Sequence, residues 1–211
     1  MTALAAAAAA LEGARVAGAP PGQRFNGGAV GYVSYDAVRY FERLPTPEED
    51  PLGLPESVFM LTTTFLIFDH VRHKIRVVSH AHLDGDVERA YALAAARIDG
   101  LVQRLQEPLR LEPQGSNSSA KEGPPLSSNI SRERYHRIVE RAKEYIYAGD
   151  VIQVVNSQRF SRKTSAHPFQ VYRSLRSINP SPYMYYLNLD DFQIVGAAIE
   201  TGVMVEDGMA A

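Results

Sequence analysis

Four histidines, His70, His73, His80 and His82, crowd one short stretch and are the first residues whose type could hold a metal ion. His80 and His82 would share one face of a strand. No carboxylate or cysteine completes a recognisable ligand set, so solvent-facing hairpin histidines are the better reading and no metal ligand is assigned. Gln153 carries a different chemistry. The spacing predicts a strand over Val151–Phe160, which puts Gln153 on the face of Val151 and Val155. An amide on an apolar face needs a partner, either a core group or a ligand in a pocket. Arg159, Arg162, Lys163, Arg173 and Arg176 form a local basic group that could take a small polyanion or lie on solvated faces. Tyr183 and Tyr185 alternate with Met184 and Tyr186, so one of two faces could line an aromatic-friendly pocket or pack a core. Gly27, Gly28 and Gly31 fit neither a dinucleotide fingerprint nor a P-loop and instead let the backbone turn into a strand.

These residues need elements to position them. Alanine propensity predicts a helix over residues 2–15. A strand follows over Ala29–Tyr35, with Asp36 capping a short helix over Ala37–Glu42. Ser57–Phe68 reads as one strand region and Ile75–Ala81 as the next, joined by a hairpin connection. Helical spacing of apolar residues predicts a helix over Asp84–Gln106. Residues 107–129 are rich in Pro, Gly and Ser and read as a linker. Beyond it, Ser131 caps a helix that Gly149 ends, and Pro168 opens another through Arg176. Asn179–Pro182 is a rigid turn before strands over Tyr183–Leu189 and Phe192–Ala198. Strands and helices mix without βαβ alternation, which indicates an α+β fold.

The composition narrows the classes. The 211 residues carry 22 Lys+Arg against 24 Asp+Glu, a net charge of −2 that offers no broad pull on nucleic acid or anionic lipid. The absence of cysteine excludes disulfides, thiolate metal sites and cysteine nucleophiles. Thr62, Thr63 and Thr64 interrupt the longest apolar run, so no membrane span is expected. The alanine-rich start lacks a basic region and reads as a helix, and a cytoplasmic location is expected.

Four ordered blocks carry a resemblance: residues 27–36 followed by Val38–Glu42, then Ala142–Phe160, then Pro168–Arg176, then Asn179–Leu187. Together they resemble anthranilate synthase component I, of the chorismate-utilising enzymes. The resemblance implies conversion of chorismate and an amino donor to anthranilate and pyruvate, with Mg²⁺, at the entry to tryptophan biosynthesis. It implies ammonia from a glutamine amidotransferase partner subunit. It also implies a two-layer antiparallel β-sandwich with flanking helices. On that pattern residues 1–106 are the remainder of an N-terminal regulatory lobe and residues 130–211 the beginning of the chorismate-binding domain.

Gln153 then matches the position where water-adding relatives carry lysine. Water must lose a proton to attack, whereas ammonia has a free lone pair, so a neutral amide suffices. Pro182, Tyr183 and Met184 resemble part of the family's feedback site for tryptophan. Its other half, a leucine-leucine-glutamate-serine stretch, has no counterpart here. Gly196-Ala197-Ala198-Ile199-Glu200 departs from the family's usual Gly-Ala-Ser-Pro-Glu. The magnesium carboxylates, the chorismate-gripping arginine and the histidine near the departing hydroxyl lie beyond the matched blocks. The expectation is a chain truncated at both ends, inactive by itself, and poorly soluble through exposed strand edges. The alternatives are an aminodeoxychorismate synthase component I, which shares the ammonia step, and a non-catalytic remnant binding an amidotransferase subunit.

Overall fold

A computed structural model describes residues 3–12, 23, 25–46, 49–83, 85–108, 124–198, 202–206 and 209–210. The chain divides into two compact units, Met1–Leu111 and Glu112–Ala211.

In the first unit, helix α1 (Ala3–Leu11) packs on strands β1 (Gly28–Val33) and β2 (Ser57–Thr62). These strands pair antiparallel, Gly28 opposite Thr62 and Val33 opposite Ser57. Between them a short 3₁₀ helix covers Tyr35–Tyr40. It starts and ends two residues before the short helix expected over Ala37–Glu42. Asp36 lies inside its first turn and pairs with Arg39 at 2.6 Å rather than capping the element. Helix α1 ends before the expected Arg15, and residues 13–15 lie outside the described residues.

Ser57–Phe68 is not one strand. Thr63 bends the chain between β2 and β3 (Thr64–Asp69), because β2 pairs with β1 whereas β3 pairs with β4 (Lys74–Ser79). The Thr63 carbonyl accepts from His80 N at 2.9 Å and closes the β3–β4 hairpin at its open end. At the other end Asp69 ties the turn, accepting from Arg72 N at 2.9 Å and from the side chains of Arg72 and Arg76. Helix α2 (Val87–Gln106) packs on β4. It starts after Asp86, whose side chain accepts from Arg89 N and caps it, three residues later than the span expected from the sequence.

In the second unit, helix α3 (Arg132–Ala148) begins at Ser131, whose hydroxyl accepts from Arg134 N, and ends at Gly149 in the left-handed region. Before it, β5 (Ser127–Ser128) occupies the last part of the stretch expected as linker and pairs with β6 (Phe160–Ser161). The long strand expected over Val151–Phe160 is therefore reduced to its last residue. Among the described residues nothing pairs with Val151–Arg159 as a ladder, and β-favouring side chains cannot replace the second strand that the backbone groups require. Asn129 holds the end of this segment, its N–H donating to Arg159 O and its side chain accepting from Arg159 N. Helix α4 (Pro168–Ile178) packs on the hairpin of β7 (Tyr183–Asn188) and β8 (Gln193–Ala198), and β9 (Val205–Glu206) pairs with β10 (Met209–Ala210).

The result is mixed helix and strand, with antiparallel ladders of two strands each among the described residues. Among the described residues Ala94 and Ala142 are the buried apolar ones. No described helix is long and apolar enough to cross a membrane.

Candidate functional site

Gln153 sits in the extended segment after α3 and is exposed, as are Val151 and Val155. It shares no strand face with them, because no strand forms there. Nothing in the described residues makes it a satisfied core glutamine; its amide is open to a ligand or a further chain. The segment is anchored at both ends. Gly149 caps α3 before it, and Gln158 Nε2 donates to Ser128 Oγ at 2.9 Å after it.

The second group of expected site residues lies at the start of β7. Register puts Met184 and Tyr186 on one face and Tyr183 and Tyr185 on the other. The first face meets α4: the Tyr186 ring lies 5.4 Å from Phe169 and 6.1 Å from Tyr172, whose rings stack at 5.8 Å. On the second face Tyr185 lies across Gly196, its cross-strand neighbour. Pro182 and Tyr183 are exposed, while Met184 is half-buried. Ser181 fixes the turn, donating from Oγ to Ala198 O across the hairpin and accepting from Tyr183 N. Pro182, Tyr183 and Met184 are thus contiguous, but Tyr183 and Met184 point to opposite sides of one ribbon.

The histidines separate. His70 and His73 are exposed in the β3–β4 turn, and His82 is exposed beyond β4. His80 is the exception to the solvent-facing expectation. It lies past the end of β4 and is half-buried, its ring 6.1 Å from Phe65 and packed where a side chain at Gly27 would stand. Its Nε2 is buried without a hydrogen-bond partner. Among the described residues no group of three or more His, Asp or Glu is placed to hold a metal ion, so the residues described do not fit a magnesium site. Of the basic group, Arg173 lines a cavity of about 430 Å³ on α4 with Gln170, Ser174 and Ser177; Arg159, Arg162, Lys163 and Arg176 do not line it.

One feature escapes a reading by apolar periodicity. Arg134, Arg137 and Arg141 stand at spacings of three and four on α3, which puts them in one row beside the helix's apolar face. The spacing is present in the sequence as a charge pattern, which apolar periodicity does not carry.

The chain matches the family described as chorismate binding enzyme over residues 2–211. It is 44% identical over 189 residues to anthranilate synthase component 1 of Acetivibrio thermocellus, covering 88% of this chain and 38% of that protein. It is 44% identical over 190 residues to anthranilate synthase component 1 of Pseudomonas aeruginosa, with the same coverage of 88% and 38%. Among solved structures, anthranilate synthase component I from Streptococcus pneumoniae matches with a TM-score of 0.73 at 30% identity, covering 93% of this chain and 44% of that one. The chain therefore spans under half the length of these relatives. The blocks around Gly31, Gln153 and Tyr183, the mixed helix and strand architecture, and a family match across almost every residue agree: the chain belongs to the chorismate-binding enzymes.

Proposed function

We propose that the chain is the part of an anthranilate synthase component I that presents Gln153 to chorismate and ammonia. The observation that carries this reading is the 44% identity, across 88% of the chain, to a protein named anthranilate synthase component 1. In the reaction, of the carbon–oxygen lyase type, ammonia bonds to the chorismate ring as the C4 hydroxyl leaves as water, taking a proton from the ammonium formed; loss of the proton on the aminated ring carbon then breaks the ring–oxygen bond, and the released enol takes up a proton as pyruvate. Ammonia needs no base to become a nucleophile. The Gln153 amide would orient it through the carbonyl oxygen, or hold the departing hydroxyl through its N–H. An exposed, unstranded position suits a residue whose surroundings are completed by other elements of the fold, in which the two-stranded hairpins join a two-layer β-sandwich.

On this reading a glutamine amidotransferase subunit supplies the ammonia, Mg²⁺ is held by residues outside those described, and the location is cytoplasmic. Residues 1–106 serve the regulatory lobe, 107–129 link, and 130–211 begin the chorismate-binding domain. Pro182, Tyr183 and Met184 form one wall for tryptophan as feedback inhibitor. Because Tyr183 and Met184 face opposite sides, an indole that touches both must sit at the open end of β7.

The test is anthranilate fluorescence with chorismate, Mg²⁺ and ammonium. A full-length enzyme carrying this sequence should turn over; the 211-residue chain alone should not. Formation of aminodeoxychorismate by the full-length enzyme would instead assign the aminodeoxychorismate synthase reading. Tight capture of a glutaminase subunit with no turnover in either form would assign the non-catalytic one.

A further inference from the structure

Asn129 ends the β5–β6 ladder with its side chain. The register pairs Ser127 with Ser161 and Ser128 with Phe160, so Arg159 is the next residue to face Asn129. A hydrogen-bonded antiparallel pair exchanges two N–H···O bonds. Asn129 donates its N–H to Arg159 O at 3.1 Å, but the acceptor for Arg159 N is the Asn129 side-chain Oδ1, at 2.9 Å. The amide oxygen thus stands in for the residue's own carbonyl, and the backbone is free to leave the ladder at once. Two residues later Ser131 caps α3. Gln158 adds a second tie, donating from Nε2 to Ser128 Oγ at 2.9 Å.

These bonds close a loop. From Asn129 the chain runs along α3, turns at Gly149 and returns to Arg159. The N–H groups of Gly149 and Asp150 donate back to Ile146 O and Tyr145 O and fix where the return limb begins. Asn129 fixes where it ends. Gln153 stands between, four residues past Gly149 and six before Arg159. The limb has no ladder of its own among the described residues, so its two ends set its path. With the Arg159 end released, a flexible span of the length from Gly149 to Gln153 has an end-to-end distance of about 11 Å, free in direction. A misplacement of about 1 Å already costs an orienting group about a hundredfold in rate.

We propose that Asn129 is a positioning residue for Gln153: by holding Arg159, its side chain fixes the limb on which the Gln153 amide meets ammonia. The inference rests on the anthranilate synthase reading of Gln153. Asn129 acts through the backbone it holds, not on a reacting group.

The experiment measures kcat, KM for ammonia and KM for chorismate in the full-length enzyme carrying this sequence. Asn129→Ala removes the acceptor for Arg159 N and should lower kcat/KM for ammonia about tenfold, with KM for chorismate little changed. Asn129→Asp keeps an acceptor in the same place and should stay within about twofold of the parent. The decisive variant combines Asn129→Ala with Gln153→Ala. A residue that acts only through Gln153 adds no loss once that amide is gone, so the double variant should match Gln153→Ala within about twofold. Multiplied losses would mean a general structural role and overturn the proposal. So would an equal loss in Asn129→Asp and Asn129→Ala. Parental activity of Asn129→Ala beside an impaired Gln153→Ala overturns the positioning role and leaves the reading of Gln153 standing. Parental activity of Gln153→Ala removes both. Helical circular dichroism checks that α3 survives; if the alanine variant unfolds it, Asn129→Leu keeps the branched shape without an acceptor and carries the same expected loss.

Discussion

The carbonyl oxygen of Val58 lies against Gly31, in the space that a Cβ at position 31 would fill. Gly196 is crowded too, but by the ring end of Tyr185, a half-exposed side chain that can swing away. Gly31→Ala must push a backbone group of the β1–β2 ladder and should lower stability by about 1–3 kcal/mol. Gly196→Ala should cost less, under about 1 kcal/mol. Urea unfolding of the two variants compares them. Equal losses would mean that the β2 backbone yields as easily as a tyrosine ring.

Asp69 gives the β3–β4 hairpin a dependence on acid. Its carboxyl is held below the ordinary carboxylate value of 3.8, first by the N–H of Arg72 and then by that residue's side chain. The folded state thus favours the ionised form. The contribution is complete above the ordinary carboxylate range and is lost as pH falls through the lower folded value. Melting temperature should therefore drop on acidification, and Asp69→Asn should remove part of that drop while keeping a turn acceptor. Parallel melting curves for the two proteins across the acid range would contradict this.

The ends of α3 are separable. Ser131→Ala removes the acceptor for Arg134 N and should cost about 1 kcal/mol. Gly149 has φ of +82° and open space where a Cβ would stand, so Gly149→Ala should also cost about 1 kcal/mol, from backbone conformation alone. The sites lie at opposite ends of a 17-residue helix, and the double variant should lose the sum. Denaturant midpoints measure all three.

Gln153 separates folding from reaction. Being exposed in an unpaired segment, Gln153→Ala should leave the stability of the 211-residue chain within about 0.5 kcal/mol of the parent. In the full-length enzyme it should lower kcat/KM for ammonia by about a hundredfold, the scale of a misplaced reactant. A variant enzyme with unchanged kcat/KM would remove the orienting role.

Tyr183→Ala and Met184→Ala should each raise the tryptophan concentration needed to inhibit the full-length enzyme if the ligand sits at the end of β7. Loss of inhibition in one variant alone would place the ligand on that residue's face instead.

What the sequence disclosed followed how local each cause is. Ser131 and Gly149 were readable as the ends of α3 because a cap is decided within a few residues. The β7–β8 hairpin was readable for the same reason: its turn and both strands are contiguous. Val151–Phe160 was misread because Val and Ile favour strands only where a second strand arrives, and that partner is not local. Thr63 was missed as a break because Ser57–Phe68 is uniformly β-favouring, and only the separate partners β1 and β4 divide it. At the site, the alternation of Tyr183 and Tyr185 with Met184 and Tyr186 was legible, because a period of two is a local property of a strand. The arginine row on α3 was legible as spacing, yet the apolar face drew the reading away from it.

The pairing order sets a timetable for synthesis. Four residues separate β3 from β4, and four separate β7 from β8, so each hairpin can close within microseconds once its second strand is free of the ribosome. The β1–β2 ladder must first close the intervening residues 34–56, a larger loop entropy, yet both strands still emerge before β3 does. Each of these three ladders can therefore form in the order of translation, without waiting for a strand made later.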